Sequence, residues 1–91
     1  MQVEIDRKSG IPIYLQLKKH IEYLINTGFW ERGKQLPTER ALAEELGISR
    51  NTVSVAYREL EADGLLTSFQ GKGTFVAARD ASKRQRSREE R

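Results

Sequence analysis

Residues 38–57 read TERALAEELGISRNTVSVAY: a short helix, a tight turn at Gly47, and a second helix with one apolar and one polar face. On the second helix Val53, Ala56, Tyr57 and Leu60 recur at i, i+3, i+4 and i+7, the spacing of a buried stripe. The opposite face carries Asn51, Val55 and Arg58, flanked by Thr52 and Ser54. These groups are small or hydrogen-bonding and let a helix backbone come close to another surface. A helix-turn-helix that lays its second helix in a DNA major groove needs that arrangement.

The chain on either side fits this centre. Pro37 biases Leu36 away from helix, Thr38 is a natural N-cap, and Glu39 suits the positive end of the helix dipole. The helix over 39–46 buries Leu42, Ala43 and Leu46; Gly47 closes it and Ile48 turns inward. Ser49 caps the next helix, expected over about 50–63 and stopped by Gly64. Upstream, Pro12 suits a first helical turn, and Ile13, Leu17, Ile21, Leu24 and Ile25 form one face of a long helix that Gly28 can end. Lys18, Lys19 and Glu22 fall on its solvated side. Residues 1–10 alternate Val3 and Ile5 with Glu4 and Asp6, as in a short strand or extended arm. Residues 29–37 read as a connector, with Phe29 and Trp30 packing on the core and a turn at Gly33.

After Gly64 the period changes. Residues 65–69 and 74–77 look like two strands joined by Gln70, Gly71, Lys72 and Gly73, a glycine-bearing connection that makes a hairpin. The expected fold is mainly α with a small β-hairpin: a winged helix-turn-helix, three helices plus a two-stranded wing, over residues 11–78. Residues 79–91 carry almost no apolar side chains and read as a disordered tail or the start of a linker. There are no internal repeats.

At 91 residues the chain has room for one small domain. It has no cysteine, which removes disulfides and thiolate metal sites, and no apolar run approaching the ~20 residues of a membrane span. Nothing after Met1 resembles a secretion signal, so a cytoplasmic location is expected. The net charge of +3 invites a nucleic-acid partner, but its distribution weakens that inference. Residues 79–91 hold six basic and three acidic groups, which leaves ten of each sign in residues 1–78. Only segregated charge can then favour a polyanion.

Residues 12–77 resemble the N-terminal DNA-binding domain of the GntR family of bacterial transcription regulators. The resemblance rests on four blocks: PIYLQL, LPTERALAEELGISRNTV, ELEADGLL and QGKGTFV. Ala43, Gly47 and Val53 also occupy the small, turn and core positions of helix-turn-helix proteins, whereas Arg32 stands where the family commonly has proline. The resemblance implies transcription regulation, as a repressor or an activator, with the third helix in the major groove and the wing 70–73 at the minor groove. It implies a homodimer on a two-fold-related operator. By position, Thr38, Arg40, Ser49, Arg50, Asn51, Thr52, Ser54 and Arg58 become DNA-binding residues, with Gln70, Gly71, Lys72 and Gly73 at the wing. NTVSVAYRELEADGLL leans toward the MocR and YtrA branches. An effector or oligomerisation domain would follow the wing, and in the MocR branch it would be an aminotransferase-like domain binding pyridoxal phosphate; nothing in these residues binds that cofactor.

Each side chain has a functional and a plain reading. Arg50 offers a planar fork suited to guanine or phosphate, or it is a surface arginine beside a carboxylate. Ser49 and Thr52, with the free N–H groups of the helix start, can bind phosphate, and Ser49 can cap at the same time. Asn51 reads adenine or is solvated, and Val55 meets a thymine methyl or is an ordinary exposed valine. Arg58 reaches a phosphate or pairs with an acidic neighbour on its own helix. Lys72, between two glycines, supplies charge where backbone can approach DNA closely, or marks an ordinary turn. Arg40, Arg50 and Lys72 thus lie on the proposed DNA side, while Glu44, Glu45, Glu59, Glu61 and Asp63 come late in their helices.

An enzyme is not expected: His20 is the single histidine, and no phosphate loop or enforced carboxylate pair is present. No cofactor or metal is expected either. The competing reading is a winged helix used for protein–protein contact, which would expose apolar side chains on the third helix and at the wing tip.

Overall fold

The computed structural model describes residues 3–77; the basic segment 79–91 lies outside them. The element order is α1 (Ile13–Asn26), α2 (Glu39–Leu46), α3 (Arg50–Ala62), β1 (Leu66–Phe69) and β2 (Gly73–Val76). Leu17 and Ile21 of α1, Leu42 and Ala43 of α2, and Val53, Ala56, Tyr57 and Leu60 of α3 form one core, closed below by Leu36, Leu66 and Val76. The apolar stripe read from α3 is therefore its buried face.

Helix ends follow the local chemistry. Thr38 and Ser49 are extended and accept the N–H of Ala41 and Thr52 through their side chains. Gly47 ends α2 in the left-handed region at φ 70°, so the chain reverses sharply into α3. At the end of α3 the Gly64 N–H bonds Glu61 O and the Leu65 N–H bonds Leu60 O, with Gly64 at φ 83°. That pattern is a Schellman motif, and it turns the chain from the helix into β1.

β1 and β2 pair antiparallel, Leu66 opposite Val76 and Phe69 opposite Gly73, so the expected hairpin forms, but Gly73 belongs to β2 and the connection is residues 70–72 instead of 70–73. Of the two readings for the N-terminus, residues 3–6 take the arm and not the strand: the arm bonds to Gln16, whose Oε1 accepts the Asp6 N–H and whose Nε2 donates to Asp6 O and Ile11 O. Three further expectations need correction. The connector is partly sheet: Gln35 bridges Phe75, and Leu36 N–H bonds Thr74 O at 2.8 Å. Trp30 packs on the core, but Phe29 is 73% exposed, because the turn after Gly28 carries it outward. Lys18 is not on a solvated side but sits between α1 and α3, its ammonium 3.2 Å from both Glu59 and Asp63.

Candidate nucleic-acid interface

The starts of α2 and α3 open on the same region, since Arg50 Nε reaches to 3.9 Å from Glu39 Oε1. At α3 the Ser49 Oγ accepts the Thr52 N–H at 3.1 Å and lies 2.8 Å from Thr52 Oγ1. Both hydroxyls serve the cap, while the N–H groups of Arg50 and Asn51 have no acceptor inside the helix and suit an anion. Thr38 repeats the arrangement on α2, accepting the Ala41 N–H at 3.0 Å.

The cations are loosely held. Arg40 Nε is 3.6 Å from Glu44 Oε2, and the Arg40 and Arg50 side chains are 79% and 70% exposed. Exposed pairs of this kind are worth about 0–1 kcal/mol, so a phosphate or base edge can displace the carboxylate. The plain reading of Arg50 is realised, and it does not compete with the functional one. Arg58 and Asn51 are exposed, and Arg58 has no carboxylate within ion-pair distance among the described residues. Ser54, Thr52 and Val55 are half-buried along the same helix.

Some late carboxylates are engaged elsewhere. Glu59 and Asp63 hold Lys18, whose ammonium is pushed above its ordinary range first by the hydrogen bond to Glu59 and then by that to Asp63. Glu61 accepts a hydrogen bond from Ser68, which pairs with Thr74 one step from the wing tip. The segregation read from the sequence holds only in part: Glu59 and Asp63 are drawn to Lys18 of α1, whereas Glu44, also late in its helix, stays beside Arg40, and Glu39 stands beside Arg50.

The wing tip stands apart from the α3 residues. Lys72 N–H bonds Phe69 O at 2.9 Å, and Gly71 at φ 81° supplies the positive φ that the third position of a type II turn demands. Gln70, Gly71 and Lys72 are exposed, and Gln35 Nε2 donates to Lys72 O at 3.0 Å.

Sequence reasoning missed three participants. Gln35 touches the wing tip through sheet pairing that a connector reading hides. Arg7 donates from the N-terminal arm to Gly47 O at 2.8 Å, a contact 40 residues distant in sequence that no periodicity encodes. Tyr57 was read only as core, but its hydroxyl donates to Pro37 O at 2.8 Å, and burial together with the Glu39 charge pushes the phenol well above its usual 10.0. A groove of about 550 Å³ between the end of α1 and the base of the wing is lined by Ile25, Trp30, Leu65 and Val76, and none of the site residues borders it.

An α2–turn–α3 unit with a capped, cation-bearing recognition end and a glycine-bounded hairpin beside it defines a winged helix-turn-helix. Residues 13–76 match the family described as bacterial regulatory proteins, gntR family, and the chain belongs to that family. It is 48% identical over 66 residues to the histidine utilization repressor of Pseudomonas putida, covering 72% of this chain and 27% of that protein. It is 37% identical over 75 residues to the transcriptional repressor YtrA of Bacillus subtilis, covering 82% of this chain and 58% of that one. MocR of Rhizobium meliloti is also a relative, at 41% identity, so both branches that α3 leaned toward are represented. Among solved structures, the GntR-family factor YtrA from Sulfolobus acidocaldarius superimposes with a TM-score of 0.80 at 32% identity, covering 97% of this chain and 93% of that one. The AraR DNA-binding domain in complex with an operator does so at 0.71 and 39%, covering 85% and 94%. The chain spans about a quarter of the histidine utilization repressor and under two thirds of the Bacillus YtrA. Its winged helix-turn-helix is a DNA-binding domain of transcription regulators.

Proposed function

We propose that this domain reads a two-fold-related operator as a homodimer, with the start of α3 in the major groove and the wing tip at the minor groove. Arg50 and Asn51 supply base-edge contacts. Thr38, Arg40, Ser49, Thr52, Ser54 and Arg58 supply backbone-side contacts, and Gln70, Gly71, Lys72 and Gly73 bring the wing to the duplex. One observation carries the reading: exposed Arg40 and Arg50 stand at the starts of α2 and α3, held only loosely by Glu44 and Glu39, while Glu59 and Asp63 are drawn to Lys18 of α1.

The protein–protein alternative is less well supported. Among the described residues the exposed large apolar side chains are Ile11, Tyr23, Phe29 and Phe69; none lies on α3, and of the four only Phe69 borders the wing tip. The repressors among the relatives, and their greater length, support a repressor whose effector-binding or oligomerising part lies outside residues 11–78. The domain itself carries out no catalysis and works in the cytoplasm; no helix among the described residues is long and apolar enough to cross a membrane.

Fluorescence anisotropy with duplexes enriched from a random pool tests this. Binding should be tight only for two-fold-related sequences and should fall linearly with log salt concentration. Absence of salt-sensitive binding at micromolar protein would overturn it.

A further inference from the structure

We propose that Gln35 is the positioning residue of the wing tip, and that the strap it belongs to, residues 33–38, holds the two halves of the reader in one fixed relation. This rests on the DNA-reading role given to the wing. Along the strap, Gly33 N–H bonds Val76 O at 2.9 Å, Val76 N–H bonds Lys34 O at 2.8 Å, and Leu36 N–H bonds Thr74 O at 2.8 Å. Leu36 is 4% exposed within the core. Pro37 O accepts the Tyr57 hydroxyl from the buried side of α3, and Thr38 caps α2. Consecutive residues therefore grip β2, the recognition helix and the start of the helix-turn-helix.

Gln35 carries this fixed geometry outward to the tip. Its Nε2 donates to Lys72 O, and the space it occupies exists because residue 73 has no side chain: a Cβ at Gly73 would lie 2.7 Å from that nitrogen. Gly73 also sits at φ 119°, which L side chains rarely adopt. The glycine after Lys72 thus has an intramolecular reason beyond close approach to DNA. Without the clamp, what remains among the described residues is the Lys72–Phe69 turn bond at the tip and the strand pairing behind it. With it, the backbone carrying Lys72 starts from a set position, and less conformational freedom is lost on binding.

Gln35→Met keeps chain length and removes the donor. The test combines backbone ¹⁵N relaxation of the free domain with operator titrations of Gln35→Met in the wild-type and Lys72→Ala backgrounds. The expected result is unchanged urea unfolding, added mobility confined to Gly71, Lys72 and Gly73, and affinity lowered about two- to tenfold. In the Lys72→Ala background the same change should alter affinity by less than about twofold. An unaltered wing tip, an unaltered affinity, or equal losses in both backgrounds overturns the proposal. If the wild-type domain binds no duplex, the DNA reading itself falls, while the relaxation data still decide whether Gln35 orders the tip.

Discussion

At α3 the reading face is the outside of a packed element, whereas at the wing it is the end of a ribbon with little behind it. Val53, Ala56 and Leu60 are fully buried and Tyr57 nearly so, and Arg50, Asn51 and Arg58 ride on the other side of that same helix. On the wing, Phe69 is half exposed and rests edge-on against Phe75, and residues 70–72 are all exposed. A two-stranded hairpin alone is marginal in water, so this one depends on the strap beside β2. The difference separates two kinds of sensitivity: damage behind α3 removes the fold, whereas damage at the wing leaves the fold and changes only its grip.

The largest effects should therefore come from behind α3. Leu60→Ala is expected to lower unfolding free energy by about 2–5 kcal/mol, read from urea denaturation, a large part of the ~5–15 kcal/mol typical of a domain. A loss below about 1 kcal/mol would mean that α3 does not depend on its packing. Alkali should act on the same region. Tyr57 and Lys18 both hold protons in the folded state more tightly than at their ordinary 10.0 and 10.5. Above about pH 10 the unfolded chain releases protons that the folded domain keeps, so stability is fully present below that pH and falls as pH rises through the window. Tyr57→Phe should flatten this fall; an unchanged alkaline limb would show that the phenol is not responsible.

The same contrast explains what was legible in the sequence. The helices, both caps, the Gly47 turn and the hairpin are local: a 3.6-residue period, a hydroxyl three residues before an N–H, a glycine at positive φ. The start of α3 was readable for that reason. What was hidden is long-range. Lys18 looked solvated because its partners, Glu59 and Asp63, lie more than 40 residues away on another helix. Gln35 looked like a connector residue because one bridge to β2 leaves no alternation to detect. Phe29 was placed inside on hydrophobicity alone, and the left-handed Gly28 at φ 86° sends it out.

Effects at the reading end of α3 come next. Arg50→Ala should weaken operator binding by about 1–3 kcal/mol and relax preference at one base pair, with stability nearly unchanged given its loose pairing. Unaltered affinity would remove it from the interface. Ser49→Ala should cost about 1 kcal/mol of stability through the lost cap. If Ser49 also helps to hold a phosphate at the helix start, affinity measured well below the melting temperature should fall too. A stability loss with no affinity change would leave Ser49 a cap alone.

The smallest effect belongs to the wing. Lys72 is exposed, so Lys72→Ala should shift stability by less than about 0.5 kcal/mol. A lysine that neutralises one phosphate releases counterions, so its removal should reduce the slope of log affinity against log salt by about 0.9, leaving sequence preference intact. The loss should therefore be plain at low salt and shrink as salt rises. A changed preference with an unchanged slope would mean that the tip reads base edges or groove width. The division between a base-reading helix and a charge-supplying wing would then be wrong, even though the two halves differ so plainly in how they are held.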